Sequence, residues 1–413
     1  MVVPVFITGQ GAILLVIQHS PMHKPTWSSR DRMQAALACQ IPDHTPCAFM
    51  MYKGLKNRCA DSRAFILAQL DLGLDTVVEL PIRPPVVVND HYNLHGLPVS
   101  YDPRVRMREW LETKTGAGDV LIKEYTTPGG CLRAEVQKTT EWPWGDHVPF
   151  LDDHLVPLSR KYLVERPEDL EALSYLLTPP TPVEVETYRR ESAPYLQLAE
   201  QNGLLLAGGW GVGADLIGWI CGLKNMIFMT YRQPVFLRDL LCLISTWNRK
   251  RMEAAFTLPL DLYVKRAWYE NCDFWTPASW QEFILPHLIE EVRLAHQAGV
   301  KFGYLITSNA MPLVESIIAA GVDVLIGVDP RQFDLEKLAR QTHTKLCLWG
   351  GVNGHLTIER GSPEDVENEV TRAMQLLAPQ GGFILSPVDN VREDSAGIKA
   401  NVNRLIQSWE QWR

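Results

Sequence analysis

The feature that most restricts this chain is a repeated unit in its last third. Residues 300–306, 322–328 and 345–349 are strand-length and nearly all apolar. Each ends in a small or polar loop: Thr307-Ser308-Asn309, Asp329-Pro330 and Gly350-Gly351-Val352-Asn353. A fourth run, 382–386, closes with Pro387-Val388-Asp389-Asn390. Amphipathic helix-length segments at 311–320, 334–341 and 363–377 lie between them. Strands alternating with helices at this spacing pair in parallel, and strands apolar on both faces are covered on both. Polar groups gathered just past the strand ends mark the functional rim of an α/β barrel.

The same rhythm upstream gives strands at 45–52, 76–80, 203–207 and 260–268, for a total of eight. The expected fold is therefore α/β, a single (β/α)8 TIM barrel over residues 22–413, with 1–21 as an N-terminal extension. Residues 84–160 break the rhythm. Segments 110–115, 120–126 and 131–139 read as strands joined by Gly-Ala-Gly and Pro-Gly-Gly turns. They form an antiparallel β-hairpin insertion after strand 2. The loop before it carries Asp90, His91, Tyr92, Asn93 and His95. Structured insertions at a barrel rim shape or cover the site.

A net charge of -8, from 40 basic and 48 acidic residues, argues against nucleic-acid binding. The eight cysteines form no C-x-x-C pair and most fall in apolar runs, which is reduced, cytoplasmic usage. The first 18 residues are apolar and uncharged but lack a basic n-region, and Pro4, Gly9 and Gly11 interrupt them. No membrane span is expected. The series Gly209, Gly211, Gly213 fits neither the dinucleotide nor the P-loop spacing.

Candidate site residues are those that follow strands. Asp329 and Asp389 suit acid–base work or substrate orientation, or simply loop capping. Asn353 and His355 follow a Gly-Gly pair that lets a ligand approach the backbone; His355 also reads as a surface histidine. Glu270 and Asp273 follow strand four, and Thr307 and Asn309 follow strand five. Tyr52, Lys53 and Arg83 suit a carboxylate or phosphate, as they suit a solvated rim. His91 belongs to the site or to its cover. Trp210 and Trp349 suit stacking on a flat substrate, or packing at the barrel mouth. Asp273, Asp329, His355, Asp389, Glu270 and Cys347 could supply mixed metal ligands, but no spacing selects a set.

Several phrases together resemble the uroporphyrinogen decarboxylase superfamily, which includes corrinoid-linked methyltransferases. They are Ser29-Arg30-Asp31-Arg32, Ile41-Pro42-Asp43-His44-Thr45-Pro46, Arg166-Pro167-Glu168-Asp169-Leu170-Glu171 and Thr276-Pro277 with Phe283-Ile284-Leu285-Pro286. Ala320-Gly321-Val322-Asp323, Gly361-Ser362-Pro363-Glu364-Asp365-Val366 and 381–387 complete the series. Their order over residues 28–412 carries the likeness. It implies a distorted (β/α)8 barrel with its site at the strand C-terminal ends. Uroporphyrinogen decarboxylases carry an arginine-rich motif after the first strand; here residues 49–58 hold Lys53, Lys56 and Arg58 instead. The family's zinc methyltransferases carry His-x-Cys where this chain has Leu305 and Thr307, and Asp389 stands near the missing second Cys.

The resemblance thus implies a methyltransferase that moves a methyl group between a small methylated substrate and a corrinoid, such as methylcobalamin, on a partner protein. Asp389, His355 and Glu270 are the expected catalytic groups. No tightly bound cofactor is expected, zinc is left open, and so is a homodimer. The alternatives are decarboxylation of a tetrapyrrole or smaller acid, with Lys53 and Arg83 gripping carboxylates, and a non-catalytic binding barrel.

Overall fold

The computed structural model describes residues 27–80, 101–114, 118–150 and 156–413. The expectations for residues 1–21, Arg83 and His91 lie outside these. Among the described residues, seven strands pair in parallel and in chain order: β1 (Val77–Leu80), β6 (Leu205–Gly211), β7 (Leu262–Arg266), β8 (Lys301–Leu305), β9 (Val324–Val328), β10 (Cys347–Asn353) and β11 (Phe383–Val388). Helices follow each turn of the chain, as the alternating pattern requires. The two-residue period of a strand sends side chains to opposite faces. Leu205, Ala207, Leu262, Leu305, Ile326 and Ile384 meet in an inner cluster, around which the sheet curls. Tyr263, Phe302, Tyr304 and Leu325 face the covering helices and join the larger outer core.

The helix Ser29–Leu37 determines which end of the curl is shut. Ser28 and Asp31 form a reciprocal capping box that fixes its start. Its buried residues Met33, Ala36 and Leu37 enter the inner cluster from the strand N-terminal end. Arg30 reaches Asp261 at 2.7 Å and Arg32 reaches Asp75 at 2.6 Å. Both aspartates sit just before a strand. Each also accepts the N–H of a neighbouring segment: Leu206 to Asp261 at 2.9 Å and Cys47 to Asp75 at 3.0 Å. Asp323 repeats the joint with the N–H of Phe302 at 2.8 Å. Arg32 is nearly buried and also holds Asp43 at 2.8 Å. Replacing Arg32 with Met leaves Asp75 a buried charge without its cation. The expected cost is about 3 kcal/mol, read as a lowered denaturant midpoint.

Two sequence readings of strands are corrected. The segment 45–52, expected as the first strand, is not a strand of this sheet. It makes isolated parallel bridges only, Cys47 to Leu385 and Met51 to Asn390. Pro46 has no N–H to give a ladder, and the N–H of Met50 turns to the Ser386 hydroxyl at 3.3 Å. Among the described residues an eight-strand count is thus not met by regular strands. Second, β6 and β10 run on through glycines that read as loops. In β6 the register shifts between Gly209 and Gly211, and in β10 between Trp349 and Gly350. A Cβ on Gly209 would stand 2.5 Å from the Val264 carbonyl oxygen, and one on Gly350 2.6 Å from that of Val328. Glycine here permits close strand approach at a bulge instead of ending the strand.

The rhythm-breaking segment forms an antiparallel sheet of β2 (Arg106–Lys114), β3 (Gly118–Thr127), β4 (Gly130–Gln137) and β5 (Ser159–Lys161), in that order. Leu121, Tyr125, Leu132 and Val136 on one face join the outer core together with Trp219 and Ile220, which follow β6. The insertion therefore stands at the strand C-terminal side of the parallel sheet. Among the described residues no helix is long and apolar enough to cross a membrane.

Candidate active site

With the helix Ser29–Leu37 plugging one end, a ligand meets the inner face from the other. There the inner face changes character. Val77 packs on the inner cluster, so Glu79, two residues on, shares its side. The Glu79 side chain is exposed within the lumen, yet protein surrounds it. That burial raises its carboxyl above the usual 4.5, partly offset by Lys56 and by a hydrogen bond from Trp210. Trp210 and Trp268, both half-buried, pack on the same cluster with ring centroids 6.2 Å apart and 63° between planes. Arg266, at the end of β7, lies 5.4 Å over the Trp268 ring and 3.2 Å from Asp215. One carboxyl group and two indoles thus form a wall, with an arginine already matched by its own aspartate.

Backbone conformation marks the same rim. Trp210, Asn309 and Asp389 adopt positive φ of 56°, 27° and 67°. Non-glycine residues held there cost of order 1–3 kcal/mol and collect at functional sites. Each lies at or just past the C-terminal end of a parallel strand.

The structure places the other sequence candidates as follows. Asp329 and Asn353 touch: the Asn353 amide donates to both carboxylate oxygens at 3.1 and 2.9 Å. Asn309 donates to Asp273 at 2.9 Å, and Ser308 to the same carboxylate at 3.1 Å. Thr307 is half-buried between these clusters in chain position. Lys53 is exposed, and its backbone N–H donates to Asn390 at 3.0 Å. Tyr52 is buried beside Phe49, and burial pushes its hydroxyl up to about 12. Asp389 pairs with Arg392 at 3.0 Å, half-exposed. His355 is exposed on the π-helix Gly354–Glu359, where it pairs with Glu359 at 3.1 Å. Trp349 is not at the mouth: it is buried in the inner cluster and its indole donates to the Ala48 carbonyl at 2.8 Å.

Glu270 is also away from the bowl. It is fully buried behind the sheet, where it accepts from Tyr304 at 2.5 Å and from the Ala214 N–H at 2.9 Å. Lys265 lies 3.8 Å from it and 2.9 Å from Glu291. Beside this network lies Asp215, which burial and the nearby Glu270 push up to about 7. His287 lines a small cavity together with Lys265, Glu270 and Glu291, and is held down to about 4 by burial and by Lys265 and Arg249.

A thiol-type zinc site does not fit these residues. Leu305 is buried among apolar side chains and Thr307 is a hydroxyl. Among the described residues no three His, Cys, Asp or Glu side chains gather as metal ligands.

Glu79, Trp268, Arg266 and Asp215 escaped the sequence reading. A glutamate at an inward position of an apolar strand was a usable signal for the first. A buried Arg–Asp pair 51 residues apart in sequence left none, because only the fold joins its halves.

Comparison with known proteins agrees with this architecture. The family model described as Uroporphyrinogen decarboxylase (URO-D) matches residues 145–391, more than half of the chain. Among solved structures, a methyltransferase from Methanosarcina mazei superposes with a TM-score of 0.57 at 15% identity, covering 93% of this chain and 99% of that one. A B12-independent methionine synthase from Shewanella sp. W3-18-1 gives a TM-score of 0.45 at 7% identity, covering 89% and 97%. No curated protein matches.

Proposed function

Because this chain belongs to the uroporphyrinogen decarboxylase family, we propose that it is a methyltransferase of that family. It moves a methyl group between a small methylated substrate in the bowl and a corrinoid presented by a partner protein. The sheet is read as a closed (β/α)8 barrel whose eighth place is filled by residues 45–48. The aspartate joint supports this: Asp75 grips Cys47 as Asp261 grips Leu206 and Asp323 grips Phe302.

One observation carries the reading. The described bowl wall offers a carboxylate and two indoles, Glu79, Trp210 and Trp268, and its arginine is engaged by Asp215. A tetrapyrrole with many carboxylates needs several cations turned to it. Arg58, at the position of the family's arginine-rich stretch, is held by Asp394 at 2.8 Å. A small substrate with little negative charge suits the wall better. The same fold in the Methanosarcina mazei methyltransferase is consistent with this. Exposed charged groups at the strand ends, Lys53, Asp389 and Arg392, suit docking of a protein that carries the corrinoid.

In this role the corrinoid supplies or accepts the methyl group. Trp210 and Trp268 bind the small substrate and exclude water, and Glu79 orients its heteroatom. The test is incubation of the purified protein with reduced cobalamin and a panel of methyl ethers, thioethers and methylated amines. Methylcobalamin, followed by its absorbance, is expected with at least one donor, and uroporphyrinogen is expected to lose no carboxyl group. Carboxyl loss with no methylcobalamin from any donor would establish the lyase instead.

A further inference from the structure

We infer that the small substrate held between Glu79, Trp210 and Trp268 is a methylated ammonium compound, the methyl donor of the reaction proposed above. This rests on that reading and narrows it to a substrate class. A methylated ammonium spreads its charge over its methyl groups and is weakly hydrated. It is drawn to the negative face of an indole and to a carboxylate. Both are present on one wall: Trp210 donates to Glu79, and Trp268 stands 6.2 Å from Trp210 across an edge-to-face angle.

The alternatives fit less well. Among the described residues the cation acting on Glu79 is the exposed Lys56, so a neutral ether or thioether would leave the Glu79 charge weakly countered in a crowded lumen. An anion would be repelled by it. Nearby cations do not reverse the sign. Arg266 is paired with Asp215 at 3.2 Å, which offsets its charge wherever that carboxyl, raised to about 7, is ionised. Lys56 is exposed to solvent, where water and salt weaken its reach.

The chemistry balances without an acid. The acceptor, a reduced corrinoid, gives its electron pair to the methyl carbon and forms the new bond. The carbon–nitrogen bond breaks, and its pair stays on nitrogen. The amine leaves neutral, so no proton has to be delivered.

The test is calorimetric titration of the wild-type protein with choline and with 3,3-dimethylbutan-1-ol, its uncharged isostere. Choline is expected to bind at least tenfold more tightly and to change the tryptophan fluorescence. Trp268→Leu and Glu79→Gln should each weaken choline by tenfold or more. Equal affinity for the two probes, or choline binding that neither substitution alters, would overturn the inference. The cobalamin assay separates the two proposals. Transfer from a methyl ether without choline preference sinks this inference and leaves methyl transfer standing. Charge-selective, Glu79-dependent choline binding with no transfer from any donor upholds the cation site and sinks methyl transfer.

Discussion

Replacing Glu79 with Gln is expected to raise KM for the methyl donor roughly 10- to 100-fold, the range for losing a contact to a charged group, while kcat changes little. The split follows from the charge. The ammonium loses its positive charge as the carbon–nitrogen bond breaks, so the carboxylate holds the ground state at least as firmly as the transition state. A contact of that kind appears in KM. The amide keeps the oxygen that accepts from Trp210, so the wall itself should survive. Wild-type KM should fall as pH rises through the Glu79 carboxyl, which burial holds above 4.5, because the ionised form binds. The Gln variant should lose this dependence. A variant with unchanged KM and a large drop in kcat would make Glu79 a proton carrier instead.

The same substitution should not destabilise the protein. A carboxyl whose folded pKa is raised holds its proton more tightly in the folded state. Its contribution to stability is fullest below the unfolded pKa and is lost as pH rises through the folded one. At neutral pH, wild-type Glu79 is therefore a cost that Gln removes. The Gln variant should melt no lower than wild type at pH 7, and the gap should close on acidification. A binding group that weakens the fold is expected where function, and not packing, fixes the residue.

The repeating part of the fold was legible because it rests on local patterns. β8, β9 and β11 stand close to the runs at 300–306, 322–328 and 382–386, since apolar runs bounded by Gly, Asp or Ser leave few other conformations. Glycines misled in one direction. Gly208 to Gly211 and Gly350 to Gly351 resemble stop signals, whereas at Gly209 and Gly350 the backbone of the neighbouring strand comes within 3 Å of a would-be Cβ. That proximity is a tertiary fact. The segment 45–52 misled in the other. Its apolar run resembles a strand, but Pro46 and the turn of Met50 towards Ser386 limit it to bridges.

The site was less legible because position after a strand does not fix direction. Glu270 follows β7 as a rim residue should, yet the chain folds it back behind the sheet to Tyr304. His355 follows β10 but faces Glu359 at the surface. Trp349 occupies an inward strand position too deep to meet a ligand. Glu79, by contrast, was hidden by its strand, where a single charge among Val77, Val78 and Leu80 reads as a tolerated exception. Strand alternation is the better guide: a charged residue at an inward position near the C-terminal end points to the bowl wherever its neighbours lie.

The largest stability effect is expected behind the sheet. Lys265→Met should lower the unfolding free energy by about 3–5 kcal/mol, the usual consequence of removing one member of a buried ion pair. Lys265 is all but inaccessible and stands 2.9 Å from Glu291 and 3.8 Å from Glu270, both fully buried. Burial works against its charge, but the two glutamates outweigh that and raise its pKa. Without the lysine, two carboxylates are left in a closed space next to Asp215. Asn248, donating to Glu291 at 3.0 Å, and Tyr304, donating to Glu270, satisfy hydrogen bonds but bring no charge. The loss should therefore shrink as pH falls through about 7, where Asp215 takes up its proton and removes one of the three neighbouring negative charges. Glu291→Gln in the Lys265→Met background should recover a large share of it, because the amide oxygen still accepts from Asn248. His287 should also titrate closer to 6.5 in the variant, as Lys265 is among the groups that depress it. Denaturation of the single and double variants at pH 5 and pH 8 measures the first two effects, and the His287 imidazole proton shift followed against pH measures the third. Equal losses at both pH values, with no recovery in the double variant, would mean that Lys265 acts through packing of its stem and not through its charge.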